Sequence, residues 1–193
     1  MNNPPRILVL GTGGTIAGAG SGATGAAYRP GGLALETLIA HLDALGLAAQ
    51  LVPQDVARIG SQDIGWAEWQ ALHGACTRAL ADPAVDAIII THGTDTAEET
   101  GFLLDLTLPT PKPVVLVGAM RPADAVGADG MRNFANAVMV ASDPAAAGRG
   151  VMLVMGDAVL AARDARKAAT SAIDAFRSFP RGPLARVTPA SLD

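Results

Sequence analysis

Short apolar runs alternate along the chain with stretches in which apolar residues recur every three or four positions. The runs at residues 6–10, 48–52, 87–91, 113–117 and 150–155 have the length and aliphatic content of buried strands. Between them, residues 33–45, 66–80, 97–106 and 131–141 carry helical spacing. The first of these helices ends at Gly46, a good stop signal, and the second near Asp82-Pro83. Strands alternating with helices predict an α/β fold: a doubly wound, mostly parallel sheet with helices on both faces. Past Met155 the pattern is less regular, and the stretch Phe179-Pro180 to Pro183 breaks it. The expected organisation is one domain over residues 1–180, with residues 181–193 opening a linker.

In such sheets ligands bind beyond the carboxyl ends of the strands. Three polar breaks fall there. Thr12 lies in Gly11-Thr12-Gly13-Gly14-Thr15-Ile16-Ala17-Gly18, Ser61 and Gln62 follow Gly60, and Thr94 and Asp95 follow Thr91-His92-Gly93. The glycine turn is neither of the familiar phosphate loops. Ile16 occupies the sixth place of a dinucleotide fingerprint, and Ala19-Gly20 stand where a P-loop has lysine and a hydroxyl. No G-x-S-x-G elbow surrounds Ser21 or Ser61. What remains is a threonine presented between glycines, open either to attack on a small substrate or to capping a turn. Thr94, Asp95 and Thr96 also have two readings. They are a helix cap with Glu98 or Glu99 as its capping-box partner, or an anion site at a helix N-terminus. The glycine-rich connection over residues 11–32 holds the chain's one tyrosine, Tyr28, and reads either as a lid or as an insertion.

Length and composition fit one domain with a sizeable core: 193 residues, 50% hydrophobic, 17% charged. A net charge of −4 with no basic run argues against nucleic acid and anionic membranes as partners. His41, His73 and His92 share no ligand spacing, so no metal is expected. Cys76, the single cysteine, is expected as a small core residue, and Trp66 and Trp69 as core or interface contacts. Asn133 and Asn136, one turn apart, are candidates to face a partner. No leader-like apolar segment precedes the glycines and no run is long enough to span a bilayer, so a reducing, cytoplasmic setting is expected.

Four stretches together resemble the bacterial-type L-asparaginases and their glutaminase-asparaginase relatives: Gly11-Thr-Gly-Gly-Thr-Ile-Ala17, Ile59-Gly-Ser-Gln-Asp63, Thr91-His-Gly-Thr-Asp-Thr96 and Val117-Gly-Ala-Met-Arg-Pro122. The segment Ala162-Arg-Asp-Ala-Arg-Lys167 continues the likeness, which covers nearly the whole chain. The resemblance implies hydrolysis of the side-chain amide of asparagine through an acyl-enzyme on threonine, with no cofactor or metal. It implies Thr12 as nucleophile, Thr94, Asp95 and Lys167 as a second hydroxyl–carboxylate–amine group, and Tyr28 on a lid. Ser61, Gln62 and Asp95 would hold the α-carboxylate and α-amino groups of an amino-acid substrate. The backbone amides around Gly93 to Asp95 are a source of oxyanion donors. The family's members pair as homo-oligomers and carry a smaller second domain. A carboxylate from the neighbouring subunit's second domain completes the amine pocket, and nothing in residues 182–193 supplies one. The alternative expectation is therefore a truncated or short form that binds aspartate or asparagine with little or no turnover.

Overall fold

The computed structural model describes residues 3–20, 28–29, 34–43 and 48–188. Strand β1 (Arg6–Gly13) runs into a single helical turn at Thr15–Ala17 and a two-residue ribbon, β2 (Ala19–Gly20) with β3 (Tyr28–Arg29). Helix α1 (Leu35–Asp43), β4 (Gln50–Ile59), α2 (Trp66–Ala81), β5 (Ala87–Thr91), α3 (Ala97–Thr107), β6 (Val114–Val117), α4 (Gly130–Ser142) and β7 (Val151–Met155) follow in alternation. The chain then turns antiparallel through β8 (Ala158–Ala161), β9 (Ala165–Lys167), β10 (Phe176–Ser178) and β11 (Ala185–Arg186).

Seven strands form the central sheet in the order β11-β8-β7-β6-β5-β1-β4. The five from β7 to β4 are parallel, and β8 and β11 add antiparallel at one edge. Side chains alternate across β1 and β5. Ile7, Val9, Ala87 and Ile89 join the cluster that contains α1 and α4, whereas Leu10, Ile88 and Ile90 join the cluster that contains α2 and α3. Each face of the sheet is therefore covered by helices, and strands buried on both faces need the continuous aliphatic runs that the sequence has. Cys76 is fully buried in the second cluster, and its apolar surroundings push the thiol up to about 12.

Chain order along the parallel strands reverses between β1 and β5. Successive connections wind outward in opposite directions from that point, which opens a crevice above the two carboxyl ends. Thr12 stands at the end of β1 and residues 92–95 directly follow β5.

Several elements differ from the sequence expectation. Strand β4 continues through Pro53 to Ile59, because it is the sheet's edge and a proline is tolerated there. Residues 158–187 add strands where little regularity was expected. Within the expected linker, β11 pairs with β8 and Val187 is buried in the core. Of the two expected places for Trp66, core or interface, its exposure removes the core, and Trp69 donates its indole N–H to Thr100 Oγ1 at 2.9 Å. Asn133 and Asn136 do not face a partner but point inward. Asn133 Nδ2 donates to Gly118 O and to the buried Asp129 carboxylate, its Oδ1 accepts from Gly156 N, and Asn136 Nδ2 donates to Gly156 O. Asp129 also accepts the N–H groups of Met120 and Arg121, so this network sets the loop after β6.

Candidate active site

Glycine makes the convergence of the three rim loops possible. Gly14 has φ +77, and a Cβ there would lie 2.4 Å from Gly93 Cα. A Cβ on Gly93 would lie 2.5 Å from Ser61 Oγ. Backbone therefore packs on backbone where the loops after β1 and β5 meet, and the Ser61 side chain of the loop after β4 packs on Gly93.

Thr12, Ser61, Thr94 and Asp95 are each held by a residue from a different element. Thr12 Oγ1, buried, donates to Thr91 O at 2.9 Å, tying the end of β1 to the end of β5. Ser61 Oγ accepts from Asp95 N at 3.2 Å, and Ser61 O accepts from Thr96 Oγ1 at 2.9 Å. Lys167 arrives from β9 and donates from Nζ to Thr94 Oγ1 at 2.9 Å and to Asp95 Oδ1 at 2.6 Å. The lysine side chain is 15% exposed and that of Asp95 is 59% exposed, so the ion pair sits at the lip of the crevice. The Gln62 amide folds back over Gly60, with Nε2 donating to Asp63 Oδ2 at 3.1 Å.

The expected helix cap is not formed. Thr96 is the N-cap of α3, but its side chain makes no capping bond and reaches Ser61 instead. Of the proposed oxyanion donors, the Asp95 amide is already committed to Ser61 Oγ. The Tyr28 backbone pairs with Gly20, and its side chain lies outside the described residues. Among the described residues no cluster of His, Cys, Asp and Glu could hold a metal ion.

Sequence reasoning missed two features. Glu98 accepts the backbone N–H of Lys167, and Ser61 clamps the 95–96 turn. No sequence signal pointed to either, since both link residues far apart in the chain.

His92 follows β5 and is buried to 1% exposure. Its Nδ1 lies 2.7 Å from Gly93 O, so Nδ1 carries the proton and donates to that carbonyl. Burial pushes the ring down to about 4, against a small opposing effect of the Gly93 bond. The folded value lies below the unfolded one, near 6.5. The neutral ring's contribution is therefore present above pH 6.5 and lost as pH falls towards 4, by about 3 kcal/mol. Thermal melts between pH 7 and 4 should show a steeper fall for the native chain than for His92→Asn, and parallel curves would refute the assignment.

The family model described as "Asparaginase, N-terminal" matches residues 6–193. The chain belongs to the asparaginase family. A relative named "Probable L-asparaginase periplasmic", from Haemophilus influenzae, is 43% identical over 98% of this chain and 54% of its own length. A "Glutaminase-asparaginase" from Pseudomonas fluorescens is 44% identical over 94% of this chain and 50% of its own. The solved structure of a "Probable Cytoplasmic L-asparaginase" from Campylobacter jejuni superposes with a TM-score of 0.94 at 37% identity, covering 98% of this chain and 58% of that one. This asparaginase-family chain thus spans about half the length of the relatives it matches. Among the described residues no helix is long and apolar enough to cross a membrane.

Proposed function

We propose that the chain carries the hydrolysis of the side-chain amide of L-asparagine to L-aspartate and ammonia. The observation that carries this reading is Lys167 Nζ held between Thr94 Oγ1 and Asp95 Oδ1, with the buried Thr12 hydroxyl bonded to Thr91 O, at the end of the strand that leads into Thr94. In the proposed reaction Thr12 Oγ attacks the side-chain amide carbon. Its proton passes to Thr94 Oγ1, which Lys167 Nζ holds and stabilises, as the Thr94 proton moves on to the departing nitrogen; the carbon–nitrogen bond breaks and ammonia leaves. Water then attacks the threonyl ester by the same route, releasing aspartate and restoring the hydroxyl. Asp95 holds Lys167 through Oδ1, and its other oxygen, which has no bond among the described residues, is assigned to the α-ammonium of the substrate. Ser61 and Gln62 are assigned to the α-carboxylate. The Ser61 hydroxyl accepts from Asp95 N and still has its own proton to donate. Tyr28 is assigned to the lid.

The domain is proposed to run at least through Val187, because β11 and Val187 belong to the sheet and core. A homo-oligomer is proposed as the working form, checked by sedimentation of the purified chain. The cytoplasm is the proposed compartment, supported by the Campylobacter relative's name and opposed by the Haemophilus relative's. Fractionation of the source cells decides between them.

The test of the activity is ammonia release from L-asparagine by the purified chain, beside Lys167→Met. Saturable release lost in the variant is the expected result. Binding of L-aspartate without any ammonia would overturn hydrolysis and leave a binding module.

A further inference from the structure

Lys167 has to hold its amine against two oxygens, yet its own strand is short and stands outside the central sheet. Strand β9 has three residues, and among the described residues its sheet partner is β10 alone, outside the seven-stranded sheet. Ala165 and Phe176 seat this ribbon on the apolar face that it shares with α3. Apolar contact of that kind is non-directional and leaves the height of the ribbon over the site loosely set.

The ribbon's own pairing leaves one group of Lys167 unused. Ala168 N donates to Ala175 O at 2.7 Å, which makes residues 168 and 175 a hydrogen-bonded pair. Such pairs alternate with non-hydrogen-bonded ones in antiparallel ladders, and Lys167 stands opposite Phe176 in the next position. The Lys167 N–H therefore points out of the ribbon. Glu98 Oε2 accepts it at 2.5 Å, across 69 residues of chain. Glu98 sits on the first turn of α3, and that helix is packed close on its neighbours: a Cβ at Gly101 would lie 3.0 Å from Ala162 Cβ.

We infer that Glu98 is the positioning residue for Lys167, acting as a directional tie that sets the lysine's backbone so that Nζ reaches Thr94 and Asp95. The inference rests on the reading of Lys167 as part of the reacting group. It displaces the role that the sequence suggests for Glu98, a capping-box partner, since the α3 N-cap receives no such bond.

A competing account is purely structural: a carboxylate in the first turn of a helix is favoured by the helix dipole whatever it touches. Two conservative substitutions separate the accounts because they keep different properties. Glu98→Gln keeps an acceptor oxygen at full reach and loses the charge. Glu98→Asp keeps the charge and falls one methylene short. Positioning requires Gln to outperform Asp, and the dipole account requires the reverse.

The experiment compares Glu98→Gln, Glu98→Asp and Glu98→Ala with the native chain in two readouts. The first is kcat and KM for ammonia release. The Asp and Ala variants are expected to lose kcat by about 10- to 100-fold with KM changed far less, and the Gln variant to stay within about threefold. The second needs no turnover. The rate at which an amine-reactive reagent modifies Lys167 is followed by peptide mass spectrometry, with Lys112, the chain's one other lysine, as internal control. Modification of Lys167 should rise severalfold in the Asp and Ala variants and not in the Gln variant. An Asp variant that matches the native chain while Gln fails, or equal modification in all four proteins, overturns the proposal. If the native chain releases no ammonia, the hydrolytic reading fails separately and the modification series alone decides the role of Glu98.

Discussion

Thr12→Ala is expected to lower ammonia release from L-asparagine by at least about 10³-fold while leaving the chain folded and able to bind L-aspartate. The substitution removes the hydroxyl assigned to form the ester together with the buried γ-methyl, worth about 0.8 kcal/mol. The hydroxyl's one described structural bond, to Thr91 O at 2.9 Å, contributes about 1 kcal/mol, small beside the 5–15 kcal/mol of a typical domain. A loss of turnover cannot then be charged to unfolding, and melting curves of the two proteins would confirm that. Thr12→Ser keeps the oxygen and should retain part of the rate. Turnover in Thr12→Ala equal to that of the native chain would remove Thr12 from the mechanism and shift attention to Thr94, a further buried hydroxyl of the crevice and the one that Lys167 touches.

The second large effect is on stability. Gly14→Ala places a methyl 2.4 Å from both Cα and N of Gly93, at a backbone φ of +77 that L side chains rarely adopt. Neither contact is the end of a flexible side chain, so one of the two loops has to move. Strain at positive φ costs about 1–2 kcal/mol and overpacking about 1–3 kcal/mol more. Together these lower the melting temperature by roughly 10 °C in a domain of this size. Gly148→Ala is the matched control. Its φ is +72 but nothing lies within 4 Å of the new methyl, so it carries the strain without the clash. If the two variants melt together, the close approach of the loops after β1 and β5 is not what holds the rim.

The parts of the fold that were legible in the sequence are those whose signal is local. Ile88, Ile89 and Ile90 are buried on both faces of a parallel strand, and a continuous aliphatic run is what such a strand requires. The rim residues Thr12, Ser61 and Thr94 could be assigned to one edge because strand ends in an alternating α/β pattern all point the same way. The antiparallel segment beyond Met155 was harder. Its first turn is the two-residue Gly156-Asp157 hairpin between short apolar strands, a recognisable signal that is weak when each strand has only four or five residues. Pro53 reads locally as a strand ending, and only the place of β4 at the sheet edge explains its continuation. Asn133 and Asn136 look like surface residues on a helix. Their partners Gly118 and Gly156 lie 15 and 20 residues away, and no periodicity reports a buried polar network of that reach. Glu98 was visible as an acid near a helix start, and the pattern gave its usual partner rather than the actual one.

The site's amine is carried by a small ribbon, while its hydroxyls are carried by the central sheet. Apart from Ala165, Ala175 and Phe176 in the core, the ribbon is closed by the Asp164 carboxylate, which accepts from Arg181 Nε and Nη2 at 2.7 Å each. That guanidinium holds Asp164 below the usual carboxylate range. Local opening of such a unit costs less free energy than melting a sheet of seven strands. In a denaturant titration the chemistry and the secondary structure should therefore part company. Turnover should fade while the sheet is still intact, and a population of native-looking but silent molecules should exist between the two midpoints.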